Sequence, residues 1–282
     1  MLLCIAFLRV DTGAFKTFLR RPAVPLAATV WTSLAVPVLF GVSCIALGLP
    51  KQAPDLFLGL MLQAIASPMM AAPALAALMG LDATLVLVTL ITSTALIPIT
   101  APLFAYVFVG PALAIPRAIL AAKLFAILAG AALTGFVLRR IFGLVVLQRQ
   151  KERIDGLNVL FLFVFVAAVM ESVGERFFAA PMIALGLAAL AFAVFFVVLC
   201  LTAVVFSFAG RERALAVAFM ASQRNMGLML AATGGALPDL TWLYFALSQF
   251  PIYLSPQLLQ PLTRRLLGRA RHTQDLAKEQ KT

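Results

Sequence analysis

The sequence predicts an all-α polytopic membrane protein with about eight full transmembrane helices, two of them discontinuous, after an N-terminal helix remnant. Three observations predict it. Of 282 residues, 63% are hydrophobic and 12% charged, with a mean hydropathy of +1.05, values foreign to a soluble globular domain. Apolar runs of roughly 20 residues or more, the length that spans a bilayer as a helix, recur from end to end. The alternating segments of about ten residues that mark a membrane β-barrel are absent from the sequence.

The chain opens on a short apolar stretch, Met1 to Phe7, followed by an amphipathic connection to Pro22. Neither the basic leader nor the cleavage site of a signal peptide is present there, so this segment reads as the end of a helix whose start lies upstream. Spans follow at 23–48, 54–79, 82–109, 113–138, 156–175, 180–209, 213–233 and 238–262. A polar tail, 268–282, closes the chain, and residues 1–267 form one membrane domain.

Charge fixes the sides. The net charge of +11 could suggest nucleic acid, but the cations gather in alternate connections: Arg20 and Arg21, then Arg139, Arg140 and Arg149, then Arg211 and Arg213, then Arg264, Arg265 and the tail. The opposite connections carry little beyond Lys51, Asp55, Glu171, Glu175, Arg176 and Asp239. Basic connections stay in the cytoplasm, so this is a multi-pass protein of the cell (inner) membrane with a cytoplasmic C-terminus and no nucleic-acid partner. The three cysteines lie in apolar runs without CxxC spacing, and the single histidine, His272, sits in the tail. Metal ligation and His-based catalysis therefore have almost no material, and no cofactor is expected. An intramembrane enzyme would need a nucleophile with its base, or paired carboxylates at depth; the sequence supplies neither.

Two spans are interrupted. In 54–79 the sequence Ser67-Pro68-Met69-Met70-Ala71-Ala72-Pro73 removes two backbone donors within six residues, freeing carbonyls that lipid cannot satisfy. In 213–233 the run Ser222-Gln223-Arg224-Asn225-Met226-Gly227 places an always-charged guanidinium at mid-membrane depth. On insertion scales such a residue costs about 2.5 to 3.5 kcal/mol, which points to a protein-lined cavity. The side pattern makes the two breaks enter from opposite faces, and paired breaks in corresponding halves mark a secondary transporter's binding site. Half-helices starting at mid-depth favour an anion there. The expected substrate contacts are Arg224, Asn225, Gln223, Ser222, Ser67 and Thr94, with Pro68, Pro73 and Gly227 breaking the helices. Blander roles exist for each. Arg224 could pair with Asp82, the hydroxyls could back-bond to their own helices, and Lys123 could snorkel to the outer interface beside Arg117.

The stretch Gly80 to Gly110, with Pro98 and Pro102, and the pentapeptide Arg224-Asn225-Met226-Gly227-Leu228 resemble the fifth and the broken ninth helix of the bile acid:sodium symporter family. Residues 54–79 resemble that family's broken fourth helix. The resemblance implies an inverted-repeat transporter fold with two crossed discontinuous helices. It divides the chain into a core of 23–109 and 180–262 and a panel of 1–22 and 113–175, with substrate bound between them. Matching the family, the chain would start partway through the second helix, so a shortened N-terminus is expected. The family's sodium ligands, all oxygen-bearing, correspond here to Ala72, Pro73, Val86, Leu90, Met220 and Arg224. A hard cation binds through oxygen, and a fixed positive charge repels it, so sodium coupling through those positions is not expected. What the resemblance implies is transport of a small organic anion by alternating access. The alternatives are a non-transporting receptor or scaffold descended from a transporter, and arsenite efflux. The arsenite branch uses a cysteine near the broken fourth helix, and 54–79 contains none. Oligomeric state is not encoded in any feature of the chain.

Overall fold

A computed structural model describes residues 22–110, 113, 115–150, 153–154, 156–157, 160–161, 163–164, 167, 174, 177–234 and 237–279. The N-terminal remnant, Cys4 and most of the expected span 156–175 lie outside the described residues. Among the described residues the secondary structure is helical apart from turns and one isolated β-bridge. Among the described residues, four helices are long and apolar enough to cross a membrane by themselves: Ala23–Ala46 (α1), Ala83–Val109 (α4), Arg117–Gly143 within the longer Arg117–Arg149 (α5), and Pro181–Val205 (α6). The two interrupted spans are each split, the first into Pro54–Ile65 (α2) and Ala72–Leu78 (α3), the second into Arg211–Ser222 (α7) and Met226–Thr233 (α8). The last helix, Asp239–Glu279 (α9), runs past the expected 262 into the polar tail and carries Pro251, Pro256 and Pro261.

Local chemistry sets most boundaries. Pro54 opens α2 and Pro181 opens α6 in the first turn, where the missing N–H has no helical partner to lose. Gly80, at φ 73°, makes the left-handed turn between α3 and α4 that a side chain would strain. Asp82 then caps α4, its carboxylate accepting from the Leu85 N–H at 2.9 Å. The expected span from 113 begins at Arg117, because Pro116 precedes it, and α5 is interrupted at Gly143 (φ 73°, ψ 155°). Two π turns, Trp31–Ala35 within α1 and Ala105–Val109 at the end of α4, were not legible in the apolar pattern.

The buried side chains form two clusters. One gathers Phe57, Leu62, Leu120, Leu124, Met229 and Tyr244 from α2, α5, α8 and α9. The other gathers Ala76, Val86, Phe195, Phe219, Met220 and Leu259 from α3, α4, α6, α7 and α9. The two breaks lie where one cluster gives way to the other. Between helices, side-chain hydrogen bonds reinforce the packing: Trp31 Nε1 donates to Thr202 Oγ1 at 2.9 Å, Thr29 and Thr92 hydroxyls meet at 2.6 Å, and Thr241 donates to the Asp55 carbonyl at 2.6 Å. Such bonds are the usual link between helices in lipid, where apolar association supplies little. The outward faces stay apolar; on α6 Met182, Ile183, Val197 and Val204 are all more than half exposed, as a lipid-facing surface requires.

Candidate functional site

The site is the place where the two broken helices cross. α2 ends at Ile65 because Ala66 turns extended (φ −66°, ψ 151°) and Pro68 supplies no donor to continue the helix. α7 ends at Ser222 because Gln223 turns extended (φ −89°, ψ 102°). The two extended segments then pair, Pro68 opposite Arg224 in an antiparallel bridge. Met69 N–H donates to the Gln223 carbonyl at 2.9 Å, and Asn225 N–H donates to the Ser67 carbonyl at 2.8 Å. Four backbone groups that the breaks would leave bare at membrane depth are thereby satisfied, each of which would otherwise cost several kcal/mol. Of the residues expected to break the helices, Pro68 lies in the break itself. Pro73 and Gly227 lie in the first turns of α3 and α8, where neither opposes a helix.

Arg224 sits at the centre and is 4% exposed. Its Nη1 donates to two backbone carbonyls, Ala66 O at 3.0 Å and Thr32 O at 3.2 Å. Both acceptors are free for a reason in the chain. Ala66 follows the last residue of α2, where helical carbonyls have no intrahelical donor. Thr32 lies in the π turn of α1: Val36 N–H bonds to Trp31 O, one residue earlier than an α-helix would choose, and the next residue, Pro37, has no N–H. The guanidinium fills the gap, tying α1 to the crossover. Nη2 has no partner among the described residues. Asp82 plays no part in this; besides capping α4 it lies 3.9 Å from Arg213 Nε.

The other expected contacts divide. Ser67, Gln223, Arg224 and Asn225 are brought together by the bridge. Asn225, half-buried, caps α8 with its side-chain oxygen on the Leu228 N–H at 3.2 Å. Gln223 donates to Ser255 Oγ of α9 at 2.7 Å, while its Oε1 stays unpartnered. Ser222 turns back on its own helix, its hydroxyl bonded to Phe219 O at 2.8 Å. Thr94 lies on α4, buried and unpartnered, with no hydrogen bond to the crossover among the described residues. Lys123 is exposed, and its Nζ lies 3.6 Å from where a Cβ on Gly234 would stand, at the C-terminal end of α8, where a helix dipole favours a cation. Arg117, expected beside it, lies over the Tyr106 ring at 4.6 Å.

Sequence reasoning missed Thr32, because a threonine in an unbroken apolar span gives no sign that its carbonyl is free. The signal available was Pro37, five residues on. It also missed the buried pair in which the Tyr244 hydroxyl donates to Gln63 Oε1, linking α9 to α2. A family model described as the sodium bile acid symporter family matches residues 1–180, from the N-terminus through α5. No curated protein matches the chain.

Proposed function

The chain belongs to the sodium bile acid symporter family, whose members are secondary transporters of organic anions or related solutes, and on that premise we propose that it carries an organic anion by alternating access. In this reading the anion meets Arg224, and the core rocks against the panel around the crossover. The observation that carries it is the buried guanidinium: of its two terminal nitrogens, Nη1 is spent on two carbonyls and Nη2 has no partner among the described residues. A buried charged donor without a partner is costly in a low-dielectric interior, and an incoming anion relieves that cost only while it is bound. Asn225 and Gln223, the neighbours of Arg224 in the same extended segment, supply polar contacts to the same anion in this reading. Ser67 and Thr94 bring unpartnered hydroxyls, while Ser222, its hydroxyl already engaged, shapes the bend.

Sodium is not the coupling ion at the family's usual positions in this proposal. Ala72, Val86, Leu90 and Met220 are buried and carry no side-chain oxygen, and Arg224, at another of those positions, adds a positive charge. The test is uptake of labelled cholate, pyruvate and butyrate into proteoliposomes, in sodium and in potassium, by wild type and Arg224→Gln. Uptake of at least one anion is expected, equal in the two cations. Its apparent affinity should fall by tenfold or more in the variant, since a hydrogen bond to a charged group contributes about 1.5 to 3 kcal/mol. Uptake that needs sodium, or that Arg224→Gln leaves unaltered, would refute the reading.

A further inference from the structure

Arg224 Nη2 and two hydroxyls, Thr32 Oγ1 and Ser67 Oγ, have no hydrogen-bond partner among the described residues. They belong to neighbouring groups. Thr32 gives the carbonyl that Nη1 holds at 3.2 Å, and Ser67 directly follows Ala66, which gives the other at 3.0 Å. Thr32 and Ser67 are each 1% exposed. Buried side-chain polar atoms are nearly always paired, so three orphans on adjoining residues mark the place of an absent partner. The guanidinium nitrogen can only donate, and both hydroxyls are able to. Gln223 Oε1, unpartnered as well, can only accept; the three donors with the fixed positive charge of Arg224 suit an anion better than a cation.

Valence follows from the charge count. Arg224 is the one charged side chain that is buried among the described residues. It can neutralise a single negative charge, and a second would be left uncompensated where the effective dielectric is low. We propose that Arg224 Nη2, Thr32 Oγ1 and Ser67 Oγ form a subsite for a singly charged anionic group, selective against dianions. The proposal rests on the reading that Arg224 meets the transported anion, and adds to it a valence and the ligand Thr32. A carboxylate head on an organic substrate and a free inorganic anion share this chemistry. None of the three atoms reaches solvent in this conformation, so the anion enters when α1 and the crossover part.

The test is the apparent melting temperature of the detergent-purified full chain in low-salt buffer, titrated with chloride, butyrate, sulfate or succinate. Wild type is compared with Thr32→Val, Ser67→Ala and Arg224→Gln. Chloride or butyrate should raise the melting temperature saturably, and sulfate and succinate should not at the same concentration. Thr32→Val and Ser67→Ala should each weaken the apparent affinity about tenfold, the loss of one hydrogen bond to a charged group, and Arg224→Gln should abolish the response. A response to chloride identifies a free inorganic ion, and a response to butyrate alone identifies a substrate head; either supports the subsite. Absence of any response, an equal response to the dianions, or wild-type responses in both hydroxyl variants would overturn it. The hydroxyl variants remove groups that have no partner, so they report even where Arg224→Gln fails to fold. A response lost in Arg224→Gln yet intact in both hydroxyl variants removes only the subsite, whereas a response retained in Arg224→Gln also removes the functional reading.

Discussion

Gly59 of α2 faces the ring of Tyr244 on α9, and alanine there should destabilise the protein although it favours the helix. A Cβ at Gly59 would stand 3.0 Å from Tyr244 Cδ1, 3.6 Å from its Cγ and 3.7 Å from Thr241 Cγ2. The ring is fully buried and its hydroxyl is tied to Gln63, one turn further along the same helix, so it can yield only by loosening that bond. Overpacking of this kind costs about 1 to 3 kcal/mol, and replacing glycine by alanine within a helix returns about 0.8 to 1 kcal/mol. The net loss is then about 0 to 2 kcal/mol, which corresponds to an apparent melting temperature lower by up to roughly 8 °C. The assay is thermal unfolding in one detergent at one scan rate, with Gly186→Ala as the control. Gly186 on α6 has nothing within 4 Å of its ideal Cβ, so that variant should lose no stability. Combining Gly59→Ala with Tyr244→Phe, which frees the ring from Gln63, should shrink the penalty of the alanine. A gain for Gly59→Ala equal to that for Gly186→Ala, or a penalty unchanged in the Tyr244→Phe background, would show that α2 and α9 do not meet through this contact.

Two further outcomes are expected. Asp82→Ala should cost about 0.5 to 2 kcal/mol by removing the cap of α4, whereas Asp82→Asn keeps the cap and loses only the half-exposed pair with Arg213, about 0 to 1 kcal/mol; melting temperatures that fall equally in the two variants would assign the effect to the ion pair. The expectation that the basic connections hold the C-terminus in the cytoplasm is tested by fusions in a bacterial host: a green fluorescent protein there should fluoresce and an alkaline phosphatase there should be inactive. Phosphatase activity would reverse the orientation.

Apolar length and proline position made much of this legible in the sequence. The break at Gln223 falls within the stretch singled out around Arg224, and the break at Ala66 falls one residue before the stretch that begins at Ser67, since freed backbone groups and a buried charge have few places to go in lipid. Helix ends were less legible. α9 continues for a further stretch beyond 262 because nothing in Thr263 to Glu279 stops a helix, even though polarity ends the apolar run there. Least legible were contacts between distant residues. Hydropathy sees Thr32 and Gln63 as minor polar marks in apolar spans, and only their three-dimensional neighbours, Arg224 and Tyr244, give them a role. For the same reason Asp82, close to Arg224 by polarity, was a poor guess at its partner, for a carboxylate at the start of a helix is already claimed by the N–H groups there.

The π turn in α1 also bears on how this chain should be compared with its relatives. A π turn holds one residue more than the α-helix it interrupts, and each residue advances the helix by about 100°. Any relative in which α1 is a regular helix therefore needs a one-residue gap somewhere in Trp31–Ala35 to be aligned correctly. Without that gap, every position from Val36 to Ala46 would be matched to a side chain on a different face, and Gly41, which packs against Phe108, would be paired with a residue pointing elsewhere. Variation at those positions would then look like loss of packing when it is only a shift in register.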